Sequence, residues 1–251
     1  MLAATAHAQQ PAEAAAQDEH RRLAREYVEV GGAEDMFLEG VKYGFREAAR
    51  AQGVQLTQAQ WDRINTVLVT HHERAAEVFV NQLVSFYLAH SAVEDLNAAL
   101  TYYRTAEGSR YVGAVLTLTF PLSAHLATGG RVPLAPIDVA GADARELERG
   151  RALADLFMAQ PHESERIALD NLPIGRNGVR DYVANSFAVS LTEADMQAAI
   201  AWFSSEPSRR LEGPSAERTL NMQSAIALAG REVDAAALQR DIAREIANSP
   251  T

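Results

Sequence analysis

The residues best equipped for chemistry stand together in "HHERAAE", His71 to Glu77. Histidines beside carboxylates are the raw material of a metal site. A helical metal pair needs ligands three or four positions apart, so that both side chains face one ion. His71 and His72 are adjacent and diverge by about 100° around a helix. Three and four places on from them stand only Arg74, Ala75 and Ala76. Neither H-E-x-x-H nor E-x-x-H occurs, so no metal site is expected, and His71 reads as a histidine at the edge of a core.

Other chemistries lack their motifs in the same way. There is no G-x-S-x-G, no S-x-x-K, no phosphate-binding loop and no G-x-G-x-x-G. Lys42, the only lysine, reads as a solvated residue on a helix face rather than a Schiff-base former. The acidic pairs Glu34-Asp35 and Glu193/Asp195 suit first helical turns, where negative charge is favourable. His90, His125 and His162 fall near element ends, outside any recognisable catalytic constellation. The chain has no cysteine, which removes thiol nucleophiles, thiolate metal sites and disulfides. No cofactor is implied. An enzyme assembled from distant helices stays open, but nothing in the sequence argues for one.

The elements that would position such residues are helices. With 47% hydrophobic and 22% charged residues the chain has an ordinary globular balance. The formal net charge is −10 and the arginines are scattered among acids, which argues against a nucleic-acid partner. No apolar run reaches the ~18 residues that a transmembrane helix requires. Ala6-His7-Ala8 is a small-x-small triplet of the kind signal peptidase cleaves, followed by Gln9, Gln10 and Pro11. Residues 1–18 are therefore expected to be a loose tail or the remnant of a signal peptide cut short at Met1. The expected location is periplasmic or secreted, with the cytoplasm as the alternative.

Apolar periodicity predicts helices from Glu19 to Val30, Ala33 to Gln52 and Thr57 to about Leu88. Gly31-Gly32 and Gly53 stop the first two. Gly40 and Gly44 lie inside the second, each costing about 1 kcal/mol relative to Ala, which suggests close approach of a neighbouring helix. Thr57/Gln60 and Ser91/Glu94 read as capping boxes, and Thr105 as the cap of a helix reaching Pro121 or beyond. Gly129-Gly130, Pro133, Pro136 and Gly141 mark a linker, residues 129–141. Helices restart at about Asp143, around Ile167 to Leu172, from Val179 to Val189, before Phe203 and after Ser205. One long helix carrying Leu220 to Ile246 is expected last. The fold class is all-α: a multi-helix bundle of two related halves, residues 19–128 and 142–248, joined by the linker.

The two halves share a phrase. "SAVEDLNAALTYYRTAEGSRYVG" begins at Ser91, and "LTEADMQAAIAWFSSEPSRRLEG" begins at Leu191. At an offset of one hundred, Asp95 meets Asp195, Arg110 meets Arg210, Tyr102-Tyr103 meet Trp202-Phe203, and Thr105 meets Ser205. The first copy, within "FYLAHSAVEDLNAALTYYRTAEGSRYV", resembles the bacterial family called domain of unknown function 2059. The shared parts are the acidic turn Ser91 to Asp95, the apolar stretch Leu96 to Leu100, the aromatic pair, and the Thr105 to Gly108 turn. "LAREYVEVGGAEDMFLEGV" also resembles the upstream helical region of such proteins. The resemblance covers about Leu23 to Val112. It implies an all-helical, usually exported protein and assigns no activity. The second copy departs from the pattern at Pro207 and Ser208.

Thr105, Gly108 and Arg110 together also form a candidate anion site at a helix N-terminus, against which Glu107 counts. Phe37, Gly40, Gly44, Trp61, Tyr102 and Trp202 are candidates for lining a ligand groove between helices, although each also suits a packed core. The expected function is a non-enzymatic interaction module of the cell envelope. The alternative is a carrier of a small apolar ligand or lipid in an inter-helix groove. The expected partner is an envelope protein or a lipid.

Overall fold

Gly32 turns the chain at φ +71°, a backbone conformation that L side chains rarely adopt. It separates α1 (Ala3–Val30) from α2 (Ala33–Ala51), and Gly53, also at φ +71°, ends α2. The computed structural model describes residues 3–161 and 163–247, and every regular element within them is a helix. The all-α bundle expected from the sequence is the fold. His162 lies outside the described residues.

The axis of the first half is α3 (Gln58–His90), a single helix about 50 Å long by its residue count. The Thr57/Gln60 capping box opens it: Gln60 N–H donates to Thr57 Oγ1 at 3.3 Å, and Thr57 N–H donates to Gln60 Oε1 at 2.8 Å. Its stripe of Ile64, Leu68, Ala75, Phe79 and Leu83 is buried. Against it lie α1, α2, α11 (Ala216–Gly230) and α12 (Ala235–Ala247).

The helices expected from Ile167 and Val179 each begin four residues earlier, at Glu163 and Gly175, and three further features differ from the sequence expectation. The helix expected from Glu19 begins at Ala3, so part of the tail assigned to residues 1–18 is helical. An alanine-rich run has high helix propensity without any core to cover, and Ala14 to Glu19 are exposed. The single long last helix is two, α11 and α12. Asp234 divides them, its Oδ1 accepting from Ala236 N–H at 3.0 Å and Ala237 N–H at 2.9 Å as a helix cap does. The Ser91/Glu94 capping box does not form. Because α3 runs to His90, Ser91 is its C-cap, and Ala92 opens α4 (Val93–Tyr103) without a side-chain cap.

Thr105 caps α5 (Ala106–Ala127), which continues through Pro121. After the irregular linker, the Asp143/Glu146 capping box opens α6 (Ala144–Ala159). Then come α7 (Glu163–Asp170), α8 (Gly175–Ser190), α9 (Glu193–Phe203) and α10 (Glu206–Glu212). A Cβ on Gly150 would stand 2.5 Å from the Ala184 carbonyl oxygen, so a glycine there lets α6 and α8 pack with their backbones close.

The two halves share one core. α5 packs on α8 and α9, and α4 packs on α10. Buried side chains from Leu23 to Ala229 form one continuous cluster. A smaller cluster under α12 joins Ile242 to Ile64 and Leu68.

The repeated phrase lies across the junction of the halves, and its two copies exchange partners. Arg110 of the first copy donates to Asp195 Oδ1 of the second at 2.7 and 2.9 Å. Arg210 of the second donates to Asp95 of the first, from Nη2 to Oδ1 at 2.5 Å and from Nε to Oδ2 at 2.9 Å. Tyr102 and Trp202, which occupy equivalent positions, stack on each other with centroids 5.7 Å apart and planes 15° off parallel. A reciprocal exchange of this kind is what a two-fold relation produces.

The start of α5 passes tightly over the end of α4: a Cβ on Gly108 would lie 2.4 Å from the Tyr102 carbonyl oxygen and 2.8 Å from Tyr103 Cα. Gly108→Ala is therefore expected to lower unfolding stability by about 1–3 kcal/mol in a denaturant titration. For Asp195, burial pushes the carboxyl up, but hydrogen bonds from Arg110 and from Thr192 hold it below the ordinary 3.8. A carboxyl depressed in the folded state contributes stability above its unfolded value and loses it as pH falls through the folded one. Asp195→Asn should thus lower the urea midpoint at neutral pH, with the gap to wild type closing as pH drops below 3.8.

Candidate functional site

The sequence nominated six residues for a ligand groove, and the structure divides them. Phe37, Gly40 and Gly44, all on α2, line one open apolar groove of about 590 Å³. Its other walls are Phe79 of α3, Thr119 and Phe120 of α5, and Met222 and Ile226 of α11. The volume falls in the range of small-molecule sites, about 300–1,000 Å³. Trp61 lies elsewhere, edge-on to Phe45 at 6.1 Å and beneath the Arg46 guanidinium at 5.4 Å. Tyr102 and Trp202 are buried against each other between the two halves. Those three aromatic residues are core and surface packing, away from the groove. They share the composition of a ligand wall, but their helices turn them elsewhere.

The two α2 glycines have different causes. A Cβ on Gly40 would meet the Phe120 ring at 3.3 Å, the close approach expected for it. A Cβ on Gly44 would meet nothing within 4 Å. The expectation of a neighbouring helix at Gly44 is therefore corrected: that glycine opens space on the groove side.

The anion-site candidates are occupied by the protein itself. Thr105 Oγ1 accepts from Gly108 N–H at 3.0 Å, Gly108 sits against the α4 backbone, and the Arg110 guanidinium is engaged by Asp195. His71, His72 and His125 also have internal partners. His71 Nε2 is 2.9 Å from Asp241 Oδ2 and ties α3 to α12. His72 Nδ1 is 2.7 Å from the Leu68 carbonyl, and His125 Nδ1 is 2.7 Å from that of Val132. Among the described residues no three histidines or carboxylates gather as a metal site would require.

Met36 and Met222 of the groove also line a second cavity of about 200 Å³. Nine helices contribute to this chamber. Tyr27, Tyr87, Tyr103, Tyr111, Phe157 and Phe203 supply rings, and Glu212 at the end of α10 supplies a carboxyl. Tyr27 and Tyr87 meet edge to face at 4.8 Å, and Tyr27 and Tyr103 at 5.9 Å. The hydroxyls of Tyr27 and Tyr103 both donate to Glu212 Oε1, at 2.9 and 2.7 Å. Burial pushes the Glu212 carboxyl above its ordinary value against the opposing effect of these two bonds. Burial, then the neighbouring Glu212 charge, pushes Tyr27 and Tyr103 up in turn.

None of these chamber residues was nominated from sequence. One signal was present: at the offset of one hundred, Glu212 stands where the first copy has Val112. A charged residue on an otherwise apolar register is a mark of a special environment.

Comparison of the chain with protein-family models, with curated proteins and with solved structures gives no match.

An acid raised in the folded state contributes stability that is complete below its unfolded value, here 4.5, and is lost as pH rises through the folded one. Glutamine at 212 keeps an oxygen for both tyrosine hydroxyls and cannot ionise. Glu212→Gln should therefore melt above wild type by a margin that grows as pH rises above 4.5 in a calorimetric series.

Proposed function

We propose that the protein is a non-enzymatic helical carrier of the cell envelope, which holds a small apolar ligand or the hydrocarbon chain of a lipid between α2, α5 and α11. One observation carries this. An apolar groove of ligand size runs over a helix whose Gly44 leaves open space where a side chain would fill it. Phe37 and Phe79, 5.2 Å apart, and Tyr43 and Phe120, 6.2 Å apart, provide aromatic walls on which hydrocarbon packs well.

The envelope part rests on Ala6-His7-Ala8. The first buried side chain described on α1 is Leu23, so cleavage after Ala8 is compatible with the fold. No helix among the described residues is long and apolar enough to cross a membrane.

An interaction module, the first expectation from sequence, needs a contiguous docking face. Of the exposed large apolar side chains, Leu220, Ile226 and Leu228 share α11, where Ile226 lines the groove itself, while Val54, Ile167, Ile174, Val189 and Ile246 are spread over other parts of the fold. The groove is the more concentrated apolar feature, and the carrier is the reading it favours.

Gly44→Leu tests the proposal directly. Leucine suits a helix interior better than glycine by nearly 1 kcal/mol, so the variant should melt no lower than wild type. Its side chain enters the groove, so binding of the neutral fluorophore N-phenylnaphthylamine should weaken about tenfold or more. Mass spectrometry of protein purified from its native host should also detect a lipid or apolar small molecule. A wild-type protein that carries none and does not bind the probe would sink the carrier reading.

A further inference from the structure

The groove carries one carboxylate on its own wall, Glu47, which pairs with Arg50, and a second, Glu212, lies in the chamber. Met36 and Met222 line both the groove and the chamber, and methionine side chains re-pack readily around a guest. An occupant of the groove that displaced these two side chains would reach a carboxyl walled by tyrosine rings. The two hydroxyl donors to Glu212 Oε1 stabilise its charge without neutralising it. Arg218 acts on Glu212 from a distance. Its Nη1 donates to the Leu211 carbonyl at 3.2 Å, and no ion pair joins it to Glu212 among the described residues. Aromatic rings present negative π-faces to a cation, an interaction strengthened by desolvation. A carboxylate set among such rings complements an organic ammonium. It opposes a carboxylate or phosphate head, which would bring like charge to a buried site.

Resting on the carrier reading, we propose that the ligand is a long-chain amphiphile with a cationic head, its chain in the groove and its ammonium beside Glu212 among Tyr27, Tyr87, Tyr103 and Tyr111. The tyrosine hydroxyls hold the carboxyl in place, the rings face the head, and the methionines close over the first carbons of the chain. The groove then selects for hydrocarbon and the chamber for charge.

A head-group series on the full chain tests this. Dodecylamine, dodecanol and dodecanoate share one chain and differ in charge. Each is titrated below its critical micelle concentration against bound N-phenylnaphthylamine near neutral pH. The amine should displace the probe about tenfold more tightly than the alcohol, and the carboxylate should be weakest. In Glu212→Gln the amine should lose that advantage while the alcohol binds as before. Equal displacement by all three, or preference for the carboxylate, would overturn the cationic head and leave the groove standing. Displacement by none of them would remove the groove reading as well. The wild-type series decides the matter even if the variant fails to fold.

Discussion

Asp95 and Asp195 are almost wholly removed from solvent, 4% and 0% exposed, and a buried carboxylate without a partner costs several kcal/mol. Each finds its guanidinium in the other half of the chain. Neither aspartate draws its guanidinium from its own half, so these bonds hold the two copies of the phrase face to face. This constraint orders the centre of the molecule. It brings α4 onto α10 and α5 onto α9, and it stacks Tyr102 on Trp202. It also sets the chamber. Arg210 and Glu212 are two residues apart on α10 and point to different sides of it. The first grips Asp95 while the second meets Tyr27 and Tyr103.

The exchange is reciprocal without being identical. Asp195 divides its oxygens: Oδ1 takes Arg110, and Oδ2 accepts the Thr192 N–H at 2.9 Å as part of a capping box. Asp95 has no such duty, because Ala92 stands where the second copy has Thr192 and offers no side-chain cap. Both its oxygens take Arg210. One copy places its aspartate within a cap and the other releases it to a two-point grip on arginine. Charge-assisted bonds at two points fix orientation as well as distance. The copy without the cap thus leaves both carboxylate oxygens to the cross-link, and a repeat can diverge locally without losing its partner.

Most of the fold was legible because helices write themselves in short-range patterns. Gly32, Gly53, Thr57 with Gln60, Thr105, Asp143 and Ser205 stop or cap the helices that the periodicity implies. The failures come from signals that compete over the same few residues. Ser91 has the composition of an N-cap, but α3 continues far enough to make it a C-cap. Asp234 is a cap within a stretch whose apolar spacing continues on both sides. The site was less legible. Phe37, Gly40 and Gly44 share one helix face, so their grouping follows from local periodicity. Trp61, Tyr102 and Trp202 resemble them in composition alone. The chamber draws its rings from helices far apart in sequence, and no local pattern records such a meeting.

The repeat shows why the departures matter more than the matches. Where the copies agree, at Asp95/Asp195, Arg110/Arg210 and the aromatic pair, the residues hold the two halves together. Where they differ, the equivalent positions do different work. Gly108 and Ser208 both donate an N–H to the capping hydroxyl, but the glycine leaves room for the α4 backbone while the serine is a buried side chain. Val112 gives an apolar wall to the chamber, while Glu212 gives it a carboxyl. A strictly symmetric pair would have lined that space with two valines or two glutamates. Two valines would leave it without a polar anchor, and two glutamates would set like charges together in a buried place. One of each yields an apolar space with a single fixed charge, which is the arrangement that can orient an amphiphile.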